Sequence, residues 1–297
     1  MRKIAIVTDT NSGITQKQAE ELGVYIVPMP VIIEEKTYYE GIDLDRGKFY
    51  EALSKGLNVS TSQPSPADVA NLWQRLLMDY DDIVYIPMSS SLSRSYDTAH
   101  LLAQEFDNRV HVVDNKRISV HQRQSVLDAL ELVEKGMSAW EIKDILEEDK
   151  YNSSIYITVS TLEYLKKGGR ITPAVANIGT ILRIKPVLQI QGGLLESFAK
   201  ARTINMAKKI MIKALKDDVL NRFGCNSDNN EVLLQVAHTD MEEEAENLKE
   251  ELQNIFPGYS IYVDHLSLSI ACHTGPGAIG VGCVKKLKVE YKYSPNT

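Results

Sequence analysis

The first 150 residues alternate short apolar runs with amphipathic stretches, and this rhythm constrains the fold more than any other feature of the chain. Residues 3–8 (KIAIVT), 82–87 (DIVYIP) and 109–113 (RVHVV) are short, rich in β-branched residues and almost continuously apolar. Strands that are covered on both faces have this composition. The pattern therefore predicts parallel strands buried between helices, in an open α/β sheet.

Helices are predicted between and after these strands. One begins at Ser65 as the N-cap residue with Pro66 in the first turn, and others are expected near residues 94–106 and 119–135. Ligands of open α/β sheets bind beyond the carboxyl ends of the strands, so the loops there are candidates for a site. Three of these loops are rich in hydroxyl groups: DTNSGIT, STSQPSP and MSSSLSRSY.

After residue 150 the pattern changes to that of a mixed sheet with helices. SIYITVS and EVLLQVAHT have the composition of strands, KPVLQIQGGLLESFAKA that of a hairpin, and GCNSDNN that of a loop. A helix capped by Asp240 is expected after the second of these strands. We therefore predict an N-terminal α/β domain with an open parallel sheet, residues 1–153, and a C-terminal α+β domain with a mixed sheet, residues 154–297, with a ligand between them.

Composition argues against several classes of function. Thirty-three Lys and Arg against 40 Asp and Glu give a net charge of -7, which lacks the basic footprint of a nucleic-acid-binding protein. The apolar run at the amino terminus is too short for a signal peptide or a membrane span, so we expect a cytoplasmic protein. Cys225, Cys272 and Cys283 lack CxxC spacing and are expected to be small buried thiols.

Two hydroxyl-rich loops have both a structural and a functional interpretation. In TSQPS, residues 61–65, Ser65 caps a helix and Thr61 is a polar surface residue, or the hydroxyl groups and free N–H groups capture an anion. In SSSLSRSY, residues 89–96, Ser93 or a neighbour caps a helix. Capping accounts for one serine, whereas this loop has five.

Arg170 and His273 also have both a structural and a functional interpretation. Arg170 in GGR is either a solvated charge after a helix that ends at glycine, or a guanidinium presented to a phosphate or an acidic partner. His273 lies in ACHTGPGAIGVG, residues 271–282, which we expect to be too glycine-rich for a helix or strand. A hydrolase pair of Ser93 and His273 lacks a GxSxG elbow and an identifiable Asp, so no catalytic residue is predicted. His238 and Asp240 alone do not make a metal site, and none is predicted.

Six motifs in a fixed order across nearly the whole chain resemble the DegV family: DTNSGIT, TSQPS, SSSLSRSY, LEYLKKGGRI, KPVLQI and HTGPG. The resemblance implies a two-domain α/β protein that binds a fatty acid. Several members act as the fatty-acid-binding subunit of a bacterial fatty acid kinase. In such systems a separate subunit that binds ATP phosphorylates the carboxylate of the bound acid, and the acyl phosphate enters phospholipid synthesis.

The resemblance also implies roles for individual residues. The family's carboxylate-binding hydroxyls fall on Thr61 and Ser93, and its pocket histidine falls on His273. Arg170 matches the arginine associated with transfer to the kinase or docking on it. Arg94 stands where the family commonly has glycine, and it either points outward or pairs with an anionic head group and alters ligand choice. Further candidates near the ligand are Ser62, Ser91, Arg94, Thr274 and Gly275.

The leading hypothesis is a cytoplasmic carrier that holds a long-chain fatty acid in an apolar tunnel. Its ligand is the acid, its partner is an ATP-binding kinase subunit, and it needs no cofactor and catalyses nothing alone. Transient contact with a membrane is compatible with this role. Two alternatives stay open: a small-molecule phosphotransfer enzyme related to dihydroxyacetone kinases, and a regulatory protein that senses lipid. The phosphate-binding pattern GxxxxGK[ST] does not occur in the chain, which weakens the first alternative.

Overall fold

The structure of the chain is a computed structural model that describes residues 2–172, 184–225 and 231–288. Of the loop predicted at residues 224–230, residues 226–230 lie outside the described residues. The predicted α/β architecture is confirmed, with a parallel sheet in the first half and a mixed sheet in the second. The structure also contains a third, smaller sheet.

Four parallel strands form the first sheet, in the order β2-β1-β6-β7. The strands of the first half are β1 Ile4–Asp9, β2 Tyr25–Val27, β3 Pro30–Ile33, β4 Lys36–Tyr39, β5 Val59–Thr61, β6 Asp82–Ile86 and β7 Val110–Val112. Its helices are α1 Gln16–Leu22, α2 Arg46–Ser54, α3 Pro66–Leu76, α4 Ser95–Ala103, α5 Val120–Glu134 and α6 Ala139–Glu148. The three strands and three helices predicted here are confirmed, with ends that differ by a few residues.

Helices cover both faces of the parallel sheet, as its nearly continuous apolar strands require. Side chains of β1 and β6 alternate between a core shared with α5 and α6 and a core shared with α3 and α4. Trp73 of α3 is fully buried in the second core. The start of α3 is as predicted, because the Ser65 hydroxyl accepts a hydrogen bond from the backbone N–H of Asp68 at 3.4 Å and Pro66 is the first helical residue.

The sequence pattern did not predict the small antiparallel sheet, whose order is β4-β3-β5. Its strands have only three or four residues, too few for a clear period of two. One face packs on α10, which spans Leu268–Thr274, through Leu268, Ala271 and Cys272. The small sheet therefore fixes the position of the helix that carries His273.

Six strands form the second sheet, in the order β10-β9-β8-β13-β11-β12, with β11 and β12 parallel and the other neighbours antiparallel. The strands are β8 Ser153–Thr158, β9 Lys185–Ile190, β10 Glu196–Ala201, β11 Val232–His238, β12 Ile261–His265 and β13 Ile279–Lys285. The remaining helices are α7 Glu163–Gly168, α8 Ile204–Asp217, α9 Glu242–Ile255 and α10. The predicted hairpin of β9 and β10 is confirmed.

The two faces of the mixed sheet have different neighbours. One face packs on α8 and α9 in a core that includes Leu234, Val236 and Met211. The opposite face carries Ile155, Ile157 and other apolar residues, and it faces the first half of the chain. All three cysteines are buried and free, as predicted. No helix in the described parts of the chain has the length and apolar character that crossing a membrane requires.

Two predictions about the second half are wrong. The residue before α9 is Met241 and not Asp240, and no side chain caps this helix. The N–H groups of Asp240 and Met241 donate to the rings of His265 and His238. Residues 271–282 are not a loop throughout: they end α10, turn, and begin strand β13. That strand lies in the middle of the sheet, so pairing on both sides outweighs the weak strand preference of its glycines.

Candidate functional site

A cavity lies where the parallel sheet, the mixed sheet and the small sheet meet. The space between its walls is about 970 Å³, which includes solvent at its open side. Its walls are mostly apolar and come from both halves of the chain, including Met29, Leu92, Ile118, Ile157, Leu165 and Ile270. Such a wall shields an apolar ligand from water and does not require the ligand to form hydrogen bonds with it.

The topology of the parallel sheet explains where the cavity forms. The chain leaves β1 toward β2 on one side and returns through β6 and β7 on the other, so the strand order reverses between β1 and β6. Asn11 follows β1 and Met88 follows β6, and both line the cavity. The predicted location of a ligand beyond the carboxyl ends of the strands agrees with this crevice.

Thr61 and His273 meet at one end of this cavity. Thr61 is the last residue of β5, His273 is near the end of α10, and Thr61 Oγ1 lies 2.9 Å from His273 Nε2. The start of α10 is fixed by the carboxylate of Glu40, which accepts a hydrogen bond from the Leu268 N–H at 2.8 Å. The other side of the imidazole rests on Gly168, where a Cβ atom would overlap the ring. Packing on both sides therefore orients His273.

His273 is neutral near pH 7. Burial, assisted by the positive charge of Arg170, lowers the pKa of its ring to about 4. A neutral imidazole has one donor and one acceptor nitrogen. In the tautomer with the proton on Nε2, His273 donates to Thr61 Oγ1, and the Thr61 hydroxyl proton is then free to be donated to an anionic ligand. This arrangement can bind a carboxylate.

Ser93 and Arg170 line the same cavity. Ser93 Oγ lies 2.8 Å from Ser95 Oγ and accepts a hydrogen bond from the Ser95 N–H at 3.2 Å, so it closes the turn before α4. Arg170 follows Gly169, which ends α7 in the left-handed conformation with φ 67°, as the GGR motif predicts. Its guanidinium donates to the carbonyl oxygens of Leu92 and Gly168. These bonds keep a positive charge beside His273.

The structure separates the other candidates into two groups. Ser62 and Thr274 line the cavity, whereas Ser91, Arg94 and Gly275 are outside its lining. Arg94 is exposed and precedes α4 without capping it through its side chain. This placement corresponds to the outward-pointing alternative for Arg94. The hydroxyl of Ser91 donates to the carbonyl of Gly192 at 3.1 Å, which is a structural role.

Several polar residues of the cavity are absent from the sequence prediction. Asn11 after β1 and Ser269 on α10 line the cavity, and the Ser269 hydroxyl donates to Asn11 Oδ1. His121 and Gln235 line the cavity from α5 and β11. Asn11 belongs to the DTNSGIT loop, which the pattern did single out. No sequence signal marks His121 or Gln235, since one lies within a helix and the other within a strand pattern.

A group of candidate metal ligands lies outside the cavity lining. Single ligand atoms of His238, Glu242 and His265 lie within 4.8 Å of one another. In the sequence, His238 and Asp240 are the candidate metal ligands, and the tertiary structure brings His265 of β12 to His238. His238 Nδ1 and His265 Nε2 already accept hydrogen bonds from backbone N–H groups. These bonds occupy the lone pairs that a metal would need, so we assign no metal here.

Comparison with known proteins relates this architecture to one family. The DegV family model, described as that of an uncharacterised protein family, matches residues 3–286. A DegV domain-containing protein of Staphylococcus aureus (strain N315) is 31% identical over 286 residues, which are 96% of this chain and 100% of that protein.

Solved structures agree with the sequence comparison. A DegV family protein from Thermus thermophilus, described in terms of its fatty acid binding, aligns with a TM-score of 0.86 and 32% identity over 96% of this chain and 100% of its own. DegV of Bacillus subtilis, described as a fatty acid binding protein, aligns with a TM-score of 0.85 and 30% identity over the same shares of the two chains. The match to the family model and the identity to these relatives over nearly the full length show that the chain belongs to the DegV family.

Proposed function

We propose that this protein binds a long-chain fatty acid in the cavity and holds its carboxylate with Thr61, Ser93 and His273. The observation that carries the proposal is an apolar cavity in which a hydrogen-bonded Thr61–His273 pair lies beside the guanidinium of Arg170. The fatty acid binding described for the relatives from Thermus thermophilus and Bacillus subtilis supports it. The division into residues 1–153 and 154–297, with the acid between them, is part of the proposal.

The energetics divide between the two ends of the ligand. Burial contributes about 0.8 kcal/mol per methylene, so ten buried methylenes supply roughly 8 kcal/mol, which is comparable with the ~4 to 15 kcal/mol entropic cost of association. Each charge-assisted hydrogen bond to the carboxylate adds about 1.5 to 3 kcal/mol. The acyl chain therefore sets most of the affinity, and the polar residues set which end of the acid lies at His273.

The finer part of the proposal concerns a partner. The bound acid is presented in the cytoplasm to a separate ATP-binding kinase subunit, which transfers a phosphoryl group to a carboxylate oxygen, and the acyl phosphate is then used in phospholipid synthesis. Arg170 assists docking or transfer, because its guanidinium lies beside the proposed carboxylate site. The chain itself supplies binding and orientation, with no cofactor and no catalytic residue.

Mass spectrometry tests the binding step. Protein purified without detergent is expected to carry about one fatty acid per chain, and the delipidated protein is expected to bind long-chain acids again in titrations. A preparation that carries no lipid and takes up none would contradict the proposal. Hydrolysis of ATP by the chain alone would indicate a phosphotransfer enzyme instead.

A reconstituted assay tests the partnership. A fatty acid kinase subunit is expected to form acyl phosphate only when this protein and the acid are both present. Arg170→Ala is expected to reduce acyl phosphate formation while the acid stays bound. Equal loss of lipid binding and of phosphorylation in Arg170→Ala would remove the role assigned to Arg170.

A further inference from the structure

A second polar group lines the same cavity, on elements that do not carry Thr61 and His273. It consists of His121 on α5 and Gln235 on β11. Both side chains are almost fully buried, since their residues are 1% and 3% exposed. Within the part of the chain that the structure describes, His121 Nε2 and Gln235 Oε1 have no hydrogen-bond partner. Buried polar atoms without partners are rare in folded proteins and call for an explanation.

Strand register places these two side chains on the same face of the mixed sheet. Gln235 is paired with Gly282 across β11 and β13, and the His121 ring lies against Gly282, where a Cβ atom would overlap Nε2. Directly opposed residues of antiparallel strands have Cβ positions about 4.5 to 5.5 Å apart, within reach of a glutamine side chain. His121 Nε2 and Gln235 Oε1 therefore lie on the same stretch of the cavity wall.

This stretch is displaced from the end of the cavity that holds His273. The chain passes from α10 through a turn into β13, where Gly280 comes first and Gly282 two residues later, and both glycines line the cavity. His273 rests on Gly168 of α7, beyond the end of β8, whereas Gly282 is paired with Ile155, three residues or about 10 Å before that end at roughly 3.4 Å per residue. An acid whose carboxylate lies at His273 would therefore meet His121 and Gln235 along its acyl chain.

The chemistry of the two atoms specifies the missing partner. The Gln235 amide nitrogen donates to the Val120 carbonyl at 3.1 Å, which leaves Oε1 as an acceptor that needs a donor. Burial, assisted by the nearby charge of Arg117, lowers the pKa of His121 to about 3, so its ring is neutral and has one N–H group. In the tautomer with the proton on His121 Nε2, a hydroxyl group can donate to Gln235 Oε1 and accept from His121 at once. A ketone can only accept, and a methylene does neither.

We propose that His121 and Gln235 form a subsite for a hydroxyl group on the acyl chain, so that the protein prefers hydroxy fatty acids to unsubstituted acids of equal length. This inference rests on the proposed fatty acid binding and adds a ligand class to it. A hydroxyl group on the acyl chain would form hydrogen bonds with both His121 and Gln235, whereas an unsubstituted chain would leave both buried atoms without a partner. This difference in free energy produces the preference. Sites built to bind a hydroxyl group discriminate strongly against ligands that lack it.

Equilibrium titration of the delipidated full-length chain tests the subsite. The probes are stearate, stearates with one hydroxyl group at successive carbons, and the ketone that matches each of them. At one or two adjacent positions the hydroxy acid is expected to bind about tenfold more tightly than stearate, and also more tightly than its ketone. Gln235→Met removes the acceptor at similar length and is expected to reduce this preference to within about twofold. Affinity for stearate is expected to rise in that variant, because its acyl chain no longer leaves the Gln235 acceptor buried without a donor.

Two further variants sharpen the assignment. His121→Leu is expected to reduce the same preference as Gln235→Met, at the same carbon position. Gln124→Met makes the same substitution on the helix that carries His121, outside the cavity lining, and is expected to keep the preference of the unaltered protein. Circular dichroism of each variant reports whether it is folded, and the stearate affinity of Gln124→Met is expected to equal that of the unaltered protein.

Each contrary result has a distinct meaning. If stearate and all the hydroxy acids bind the unaltered protein equally tightly, the subsite is wrong while fatty acid binding stands, and water alone occupies the pair. A preference that survives in both Gln235→Met and His121→Leu would place the hydroxyl group elsewhere and would also overturn the inference. If no acid binds, the proposed function fails, and this inference fails with it.

Discussion

At the scale of single residues, the contact between Thr61 and His273 depends on tertiary structure. The two residues are 212 positions apart, and the small sheet brings them together by packing on α10. The sequence motifs indicate Thr61, Ser93, Arg170 and His273 separately, but only the fold brings these four residues to one cavity.

Replacing Thr61 by valine removes one hydroxyl group and keeps the shape of the side chain. We expect Thr61→Val to weaken fatty acid binding about tenfold, since a hydrogen bond to a charged group contributes about 1.5 to 3 kcal/mol. Titration of the delipidated protein measures this change. Ser62→Ala is the matched control, because the Ser62 hydroxyl donates to the Gln63 carbonyl, and it is expected to change affinity by less than about twofold. Equal effects of the two substitutions would contradict the role of Thr61.

The low pKa of His273 makes the affinity depend on pH. In the free protein, burial holds this pKa at about 4, so the ring is neutral at pH 7. A bound carboxylate favours the protonated ring and raises its pKa, so the complex binds more protons than the free protein. Affinity for the ionised acid is therefore expected to rise as the pH is lowered through the raised pKa of the complex toward the free value of about 4, by at most about tenfold per pH unit.

Titrations of a soluble medium-chain acid at several pH values measure this dependence. His273→Gln cannot take up the proton, so its affinity is expected to stay nearly constant over the same pH range. An affinity of the unaltered protein that falls as the pH is lowered would show that the carboxylate does not lie at His273.

Sequence alone does not indicate His121 and Gln235 as polar groups of a cavity. His121 lies within the helical pattern of α5, where one histidine has no distinctive signal, and Gln235 interrupts an apolar strand. The apolar lining is equally hidden, because residues such as Ile155 and Ile157 of β8 point to one face of the sheet whether that face meets a core or a cavity. A packed core and a cavity differ only in the distance between the two halves of the chain, and the sequence pattern does not contain that distance.

At the scale of elements, two glycines allow two histidine rings to lie in the cavity wall. Gly168 of α7 leaves space for His273, and Gly282 of β13 leaves space for His121. The prediction that residues 271–282 form neither helix nor strand failed for this reason. Glycine has a weak intrinsic preference for strands, so Gly280 and Gly282 make a strand hard to predict from the sequence. The sheet nevertheless needs glycine at position 282, where the His121 side chain of α5 approaches its face.

The sequence predicts the larger elements better than the small ones. The parallel strands β1 and β6 are recognisable because both of their faces are covered, and α3 because its start has a serine cap and a proline. The strands β3, β4 and β5 are too short for a periodic signal. They nevertheless position His273, so the elements that fix the site are the ones that the pattern did not predict.

Replacing Gly168 by alanine tests how the glycine positions the imidazole. The added methyl group would overlap the His273 ring, so the ring must move away from Thr61 or the helix must shift. We expect Gly168→Ala to reduce the free energy of unfolding by about 1 to 3 kcal/mol, although alanine favours a helix. Fatty acid affinity is expected to fall about tenfold, because the carboxylate loses the oriented Thr61–His273 pair.

Chemical denaturation and fatty acid titration measure the two effects. Gly193→Ala is the matched control, because no atom lies within 4 Å of the position of its Cβ and its φ is not in the left-handed region. It is expected to leave stability and affinity nearly unchanged. Normal fatty acid affinity in a destabilised Gly168→Ala protein would show that the orientation of His273 is not needed for binding.

At the scale of the whole molecule, the cavity separates two regions that each have their own core. Side chains of the parallel sheet pack on α3, α4, α5 and α6, whereas the far face of the mixed sheet packs on α8 and α9. The cavity wall combines residues from both regions and includes buried polar atoms. A ligand there contacts both regions at once, so its removal is expected to weaken their contact more than either core.

Fatty acid binding is therefore expected to stabilise the protein against unfolding. At a free acid concentration of 100 times the dissociation constant, the free energy of unfolding should rise by about 2.7 kcal/mol, provided that the unfolded chain does not bind the acid. Denaturation of delipidated and reloaded protein measures this difference. An alcohol with the same hydrocarbon chain, at the same concentration, buries the tail but lacks the carboxylate, so it should stabilise the protein less. Equal stabilisation by acid and alcohol would mean that the tail binds while Thr61, Ser93 and His273 do not hold a carboxylate.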